Sequence, residues 1–496
     1  MGLVPVRLLI IIALVYDWRV LTSDVEQAYL QAPLRGKPKF LRLPRWLWPK
    51  AWKDDMKRPV VRLIKALYGL ARAGFDWMKF ARDRLTSVGW KEINAAENLY
   101  KKGTTILALY VDDLMFTGPD DEETLKNRRE VFELFEMSEP EEANVFLGMK
   151  LAERVDDEGG RCRVIHQSKY AQLILSRFQE ESTAKLKEYA TPSTDELPRV
   201  VEGEDEPGVY KDSCARHVGG LMYLCRLTRP DLSFAVARVA RHVHDWRKMQ
   251  DQWLDRIFGY LQATTNYGIV MKVAKRGVDQ TSLVCLSKGS DVEDGEQGQF
   301  NACCERAAEW KECQCAPVQD EPEEREQCKI EAQTDADHAG CISTGRSTSG
   351  WCTFLRHGDN MFLLDHGSKR QSVTARSTGE SECVALADGV CRSSFLAAEI
   401  VDSVLQQVTT VDHYVDANAC LQAVQRGFSK KMGYLRKHQR VNLGFLKDAL
   451  TSQDEVNLRK IGTDDMTADV LTKSLPVSKF QKHRAGLGVG ALPAWA

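Results

Sequence analysis

Two adjacent acids end an apolar run in this chain, and apolar residues resume directly behind them. The stretch is Ile106-Leu107-Ala108-Leu109-Tyr110-Val111-Asp112-Asp113-Leu114-Met115-Phe116. Strand, tight turn, strand is the reading the pattern favours, with the carboxylates at the tip. Asp is common at hairpin tips because it hydrogen-bonds its own backbone and tolerates turn geometry. A merely polar turn fits less well, because strands apolar on both faces belong inside a sheet. A paired carboxylate there is costly unless it holds a cation.

The rest of the chain sets limits on that reading. Its 496 residues are enough for roughly two to four domains. It is 43% hydrophobic and 28% charged, which is ordinary for a globular protein. A net charge of −2 does not announce a nucleic-acid partner, so local charge has to be read instead. Arg35 to Arg82 carries 14 basic residues against Asp54, Asp55 and Asp76, with Trp46, Trp48, Trp52 and Trp77 interleaved. Such a run can be a solvated face. Cations for phosphates mixed with rings for bases also suit a nucleic-acid groove.

The 14 cysteines follow no secreted disulfide spacing, and the thiols read as reduced and intracellular. Leu8 to Tyr16 is apolar but too short to span a bilayer. Asp17-Trp18-Arg19 follows it in place of a small-residue cleavage site, so a buried helix is expected.

Tyr110-Val111-Asp112-Asp113 resembles the YxDD signature of reverse transcriptases, whose acids sit on a palm hairpin and bind two magnesium ions. Ser23-Asp24-Val25-Glu26-Gln27-Ala28-Tyr29-Leu30-Gln31-Ala32 is similar to the copia-type segment LDVKTAFLNG. The resemblance makes Asp24 the third palm carboxylate and Tyr29 the gate against ribonucleotides. Ala66-Leu67-Tyr68-Gly69-Leu70 resembles SLYGL, which faces template and incoming nucleotide, although Ala71-Arg72-Ala73-Gly74 departs from the KQSP that usually follows. Val145-Phe146-Leu147-Gly148-Met149-Lys150-Leu151 reads as one strand and is similar to FLGIEI, the primer grip. The implied substrate contacts are Tyr29, Tyr68, Gly69, Tyr110, Leu147, Gly148 and Met149. Gly220 to Asp231 resembles the GSLMYL…TRPD stretch, a helical thumb and connection.

From Glu331 the pattern changes. Strands fit 331–335, 350–356 and 361–366, then a long helix 379–404, a strand 410–416, helices 417–426 and 434–450, a strand 455–461 and a helix from 464. That is the order of a ribonuclease H fold. Thr334-Asp335-Ala336-Asp337-His338-Ala339-Gly340 resembles SDADWAG, and Arg346-Ser347-Thr348-Ser349-Gly350 matches RSTSG. Ser377-Thr378-Gly379-Glu380-Ser381-Glu382 resembles STTEAE, Asp416-Ala417-Asn418 is a looser match to DSQ, and Ala468-Asp469-Val470-Leu471-Thr472-Lys473 is close to ADMLTK. Asp335, Glu382, Asp416 and Asp469 fall at element ends where that fold keeps a two-metal cluster. Asp337 and Glu380 are the competing choices. Asp335 is preferred because a strand feeds into it, and Glu382 because Ala385 follows at the spacing other ribonuclease H helices show.

The expected fold is α+β and α/β multidomain: a palm over 1–167 with fingers largely missing, a helical thumb and connection over 168–275, a Cys-rich insertion over 276–330, a ribonuclease H-like domain over 331–480, and a tail over 481–496. The insertion reads as disordered, because Cys-Cys and Cys-x-Cys are poor zinc spacings. The resemblance implies a copia-type retrotransposon Pol polyprotein, its reverse transcriptase and ribonuclease H region, shortened at the N-terminus. The implied activity is RNA-directed DNA polymerisation with ribonuclease H cleavage, with two Mg2+ or Mn2+ per site. Expected partners are RNA template, DNA primer, RNA–DNA hybrid, dNTPs and other products of the same polyprotein, with no membrane. An intracellular setting follows, in a cytoplasmic virus-like particle or the nucleus. The alternatives are a polymerase-dead chain that keeps only ribonuclease H activity, and a non-catalytic nucleic-acid-binding remnant.

Overall fold

The helix Leu3–Val15 is where the parts of the chain meet. It is apolar nearly all round, and such a helix must be buried; Val4 through Leu14 are buried. It packs on the strands Thr105–Tyr110 and Asp113–Gly118, and also on the strand Asn360–Arg370 and the helix Phe395–Leu405. Its one cation, Arg7, is buried with it. The guanidinium donates to the carbonyls of Leu364 (3.0 Å), Arg226 (2.8 Å) and Leu227 (3.0 Å). Arg226 and Leu227 end the helix Cys214–Leu227, where carbonyls lack helical partners. One side chain therefore closes the helix Cys214–Leu227 and fastens it to the strand Asn360–Arg370.

The structure is a computed structural model. It describes residues 2–157, 159–182, 185–194, 206–274, 327–341, 344–451 and 454–496. The expected insertion over 276–330 lies outside the described residues except for its last four, where Cys328 is buried.

The first sheet is antiparallel, in the order Lys91–Glu92, Leu99–Lys102, Thr105–Tyr110, Asp113–Gly118, Arg19–Asp24, Glu141–Glu142. Successive strand residues point to opposite faces. Ile106, Ala108 and Met115 join the core around the first helix. Leu107, Leu109, Leu114 and Phe116 join a second core with Trp77, Ala81 and Leu85 of the helix Ala73–Ser87. The sheet is covered on both sides, which is why the run around Asp112 is apolar without alternation.

A second antiparallel sheet runs Val489–Ala491, Tyr267–Val273, Arg161–His166, Met149–Val155, Val145–Phe146. Two expectations change here. Residues 145–151 are not one strand but a hairpin, because Leu147 (φ 50°) and Gly148 (φ 74°) are both left-handed and reverse the chain. Paired positive φ values make the tight turns that hairpins prefer. The segment 481–496 is no tail. It completes the helix Val477–Gly486 and then adds a strand beside Tyr267–Val273. Limits placed at 167 and 275 thus cut through one sheet.

Among the thumb helices, Phe178 of Ser168–Glu181 stacks on Phe258 of Lys248–Ala263 at 3.9 Å between centroids. The Thr-Arg-Pro-Asp motif has a structural task beneath them. Arg229 donates to both oxygens of Asp231 (3.0 and 2.9 Å) and to the Thr264 carbonyl (2.7 Å), and the Tyr260 hydroxyl adds a bond to Asp231 (2.7 Å). Burial pushes the Asp231 carboxyl up, but Arg229, the Tyr260 hydroxyl and Arg484 together outweigh it and the net shift is downward. Asp231→Ala leaves a buried guanidinium unpaired and is expected to cost about 3–5 kcal/mol, read as a lower denaturation midpoint in urea.

The third sheet runs Asn360–Arg370, Arg346–His357, Lys329–Cys341, Val411–Val415, Val456–Lys460, with the first three antiparallel and the last two joined in parallel. That is the ribonuclease H arrangement. Three local details differ from the sequence reading. The long helix is Thr378–Gly389 and Phe395–Leu405 joined by a π-helical stretch, Val390–Ser394. The helix expected over 434–450 breaks into Leu435–His438 and Leu443–Thr451, with Arg440 at φ 61° between them. The helix expected from Asp464 is a 3-10 turn, Thr467–Leu471, followed by Val477–Gly486 behind Pro476. Among the described residues, no helix is long and apolar enough to cross a membrane.

Candidate active sites

Register brings the palm acids together. In the antiparallel pair formed by Arg19–Asp24 and Asp113–Gly118, Asp24 stands directly across from Asp113. Tyr110 pairs with Asp113 on the other side, so Val111 and Asp112 form a two-residue turn. Val111 is left-handed at φ 58°, a costly conformation for a β-branched residue. Two bonds hold it: the Trp77 indole donates to the Val111 carbonyl (2.5 Å), and the Val25 amide to the Asp112 carbonyl (2.8 Å). Trp77 is therefore a buried clamp beneath the hairpin and not a stacking ring in a groove, whereas Trp46 is 77% exposed. Sequence reasoning grouped the two because it cannot see which face a helix buries.

Burial and the Asp112 charge raise the proton affinity of Asp24 and Asp113. Burial, then Asp112 and Asp24, push the Asp113 carboxyl up to about 6. Burial, then Asp112 and Glu26, push Asp24 up. Beside them the Tyr29 and Tyr68 rings lie 4.6 Å apart, and Tyr68 lies in the field of Asp112 and Asp24. Gly69 takes φ +88° with nothing near its missing side chain, so a turn that only glycine adopts easily opens toward this space. Tyr110 is partly exposed.

Leu147 and Gly148 form the turn of the second hairpin. Met149 does not share their exposure: it is fully buried in the core, so its side chain is not a substrate contact. The sequence missed the residue that seats this turn. The Tyr223 hydroxyl, from the helix Cys214–Leu227, donates to the Leu147 carbonyl (3.0 Å), and a Cβ on Gly148 would lie 2.4 Å from that hydroxyl.

The second site is built by the third sheet. Gln333 pairs with Tyr414 in the parallel ladder. Two residues further along each strand, on the same face, Asp335 and Asp416 come abreast. The Thr467 amide donates to Gln333 (2.7 Å), which ties the Thr467–Leu471 turn to the same strand and brings in Asp469. Oxygens of Asp335, Asp416 and Asp469 all lie within 4.8 Å of one another. Among the described residues no other group of three metal-binding side chains closes to that distance, the palm acids included.

Glu382 reaches the cluster from the first turns of Thr378–Gly389. Burial, then Asp335 and Asp416, hold its carboxyl far above the usual range. Glu380 is occupied elsewhere: it accepts from the Arg376 amide (2.8 Å) and from the Tyr434 hydroxyl. Asp337 lies two residues beyond Asp335, half-buried, outside the cluster. Asp335 sits mid-strand in Lys329–Cys341 and not at a strand end. Asp469 is raised to about 7, first by burial and then by Asp335, and Asp416 is raised by the same two causes.

These residues fit a divalent cation. Glu382 Oε2 is buried with no hydrogen-bond partner, and a carboxylate oxygen in that state is costly unless a cation satisfies it. Hard oxygen donors from four acids are the set that Mg2+ or Mn2+ prefers.

Residues 2–192 match the reverse transcriptase (RNA-dependent DNA polymerase) family. Over 98% of its length the chain is 24% identical to the retrovirus-related Pol polyprotein from transposon RE1 of Arabidopsis thaliana. It is 26% identical over the same share to those from transposon RE2 of that plant and transposon TNT 1-94 of Nicotiana tabacum. It spans 28%, 29% and 32% of the length of these three relatives. The palm hairpin lies within the matched residues 2–192, and the third sheet lies beyond them, within the stretch similar to these Pol polyproteins.

Proposed function

We propose that the chain is an RNA-directed DNA polymerase with ribonuclease H activity, copying retrotransposon RNA into DNA and cutting the RNA of the resulting hybrid. The observation that carries the reading is the convergence of Asp335, Asp416 and Asp469 within 4.8 Å, with Glu382 beside them, in a chain whose other sheet sets Asp24 across from Asp113.

In this reading Asp24, Asp112 and Asp113 hold divalent cations in the palm, and Asp335, Glu382, Asp416 and Asp469 hold them in the nuclease. The bound ions would activate the attacking oxygen and offset charge on the leaving one. The chain's own residues position the substrates. Tyr29 and Tyr68 wall the space where a dNTP sugar and base would lie, and Gly69 lets backbone approach them. Tyr110, Leu147 and Gly148 face the primer end, with Tyr223 fixing the turn. The basic segment from Arg35 to Arg82 would meet the phosphates of the RNA template and DNA primer.

A narrower reading, ribonuclease H alone, has one observation in its favour. The nuclease acids are gathered tightly, while among the described residues the palm acids are not. The test is one preparation in two assays with Mg2+ and with chelator: primer extension on RNA, and cleavage of RNA in a hybrid. Both activities with Mg2+ support the full reading. Cleavage without extension leaves the narrower one, and neither activity from folded protein rejects both.

The raised carboxyls make a further expectation. Their ordinary value is 3.8, against about 6 for Asp113 and about 7 for Asp469 in the fold. The native state then binds more protons than the unfolded chain, so these groups favour folding at low pH. That contribution is lost as pH rises through the folded values. Metal-free protein should melt at lower temperature at pH 8 than at pH 6, and Mg2+ should restore more stability at pH 8. A chelated melting point that rises over this window would contradict it.

A further inference from the structure

We propose that Lys473 is a tethered cation that holds the nuclease carboxylates together before metal binds and competes with metal for them. The inference rests on the proposed reading of that cluster as a metal centre. Lys473 follows Asp469 by one helical turn. Its ammonium lies 2.9 Å from Asp469 Oδ1 and 3.4 Å from Asp335 Oδ2. Both acids are almost wholly buried, and both belong to the group that closes within 4.8 Å.

Acids packed this tightly repel one another, and burial removes the water that would screen them. One ammonium between two of them offsets part of that cost. It does not offset all of it, since Glu382 Oε2 keeps no partner. The residue type also suits the task. A lysine head is a compact point charge on a flexible stem, unlike a planar guanidinium that locks onto a carboxylate. The Lys473 side chain is 33% exposed, so its head can leave toward water when a divalent ion takes its place. The Thr472 hydroxyl, next in the chain, donates to Asp335 and keeps that acid oriented whichever cation is present.

Two consequences differ in sign. Removing the charge should destabilise the metal-free protein, and it should tighten metal binding. The experiment uses the full chain with Asp112→Asn and Asp113→Asn already in place, so that the palm contributes no cation site. Thermal unfolding is followed in EDTA and through a Mg2+ titration, for this background and for Lys473→Met and Lys473→Arg. Lys473→Met should melt several degrees lower in EDTA and bind Mg2+ on the order of tenfold more tightly, recovering the lost stability at saturation. Lys473→Arg, which keeps the charge, should stay near the background in EDTA. Equal Mg2+ affinity and equal EDTA stability for Lys473 and Met overturn the proposal while leaving the metal reading intact. No Mg2+ response in any protein overturns the metal reading and the proposal with it. A Lys473→Met protein that folds in neither condition also overturns it, because bound metal should replace the missing charge.

Discussion

Asp416→Asn is expected to reduce cleavage of RNA in an RNA–DNA hybrid by roughly a thousandfold or more, the scale seen when a member of a concerted catalytic group is lost. Asn keeps the shape of the side chain and its bond from Thr463 (3.2 Å), but it removes the negative charge that would help hold a cation. The same substitution should not weaken the fold. Burial and Asp335 both penalise the Asp416 carboxylate, so a neutral side chain relieves repulsion, and the chelated melting point should stay level or rise. Activity lost while stability is kept separates a role in chemistry from a role in folding. Mg2+ should also raise the variant's melting point less than the parent's. Hybrid cleavage that persists in Asp416→Asn would reject the nuclease assignment.

Asp112→Asn should abolish primer extension on an RNA template, again by roughly a thousandfold or more, and leave hybrid cleavage untouched. Asp112 sits at the turn, beside the strained Val111 and next to the Asp24–Asp113 pair. Its charge is the largest after burial in raising both partners. The variant should therefore let Asp113 titrate below about 6, a shift that carboxyl NMR signals would report even without turnover. If the parent folds and cuts hybrid but does not extend a primer, the polymerase part of the proposal falls and the nuclease part stands.

Much of both sites was legible in the chain itself. The apolar run around Asp112 marks a hairpin buried on two faces, and its flanking residues do divide between two cores. The alternation of strands and helices after Glu331 follows the observed order of the third sheet. Local pattern also separates the buried first helix from a membrane span, because its apolar run is short. Where the reading slipped, the cause was a backbone reversal with no composition signal, as at Leu147-Gly148, or a partner far away in sequence, as for Val489–Ala491 beside Tyr267–Val273.

What the sequence determined on its own is the kind of element at most positions and the kind of atom available to chemistry: which strands, which helices, which carboxylates. Only the tertiary structure decided which of those atoms meet. Glu382 and not Glu380 joins the cluster because Tyr434 and the Arg376 amide already hold Glu380. Asp335 and Asp416 come abreast because Gln333 pairs with Tyr414, and Lys473 sits between two buried acids because a short turn is tied to Gln333. Met149 and Trp77 look like surface contacts in the sequence and are core in the fold. The physical reason is range. Helix and strand periodicity are set by neighbours within a few residues, whereas register, burial and charge pairing depend on contacts between segments that no local pattern encodes.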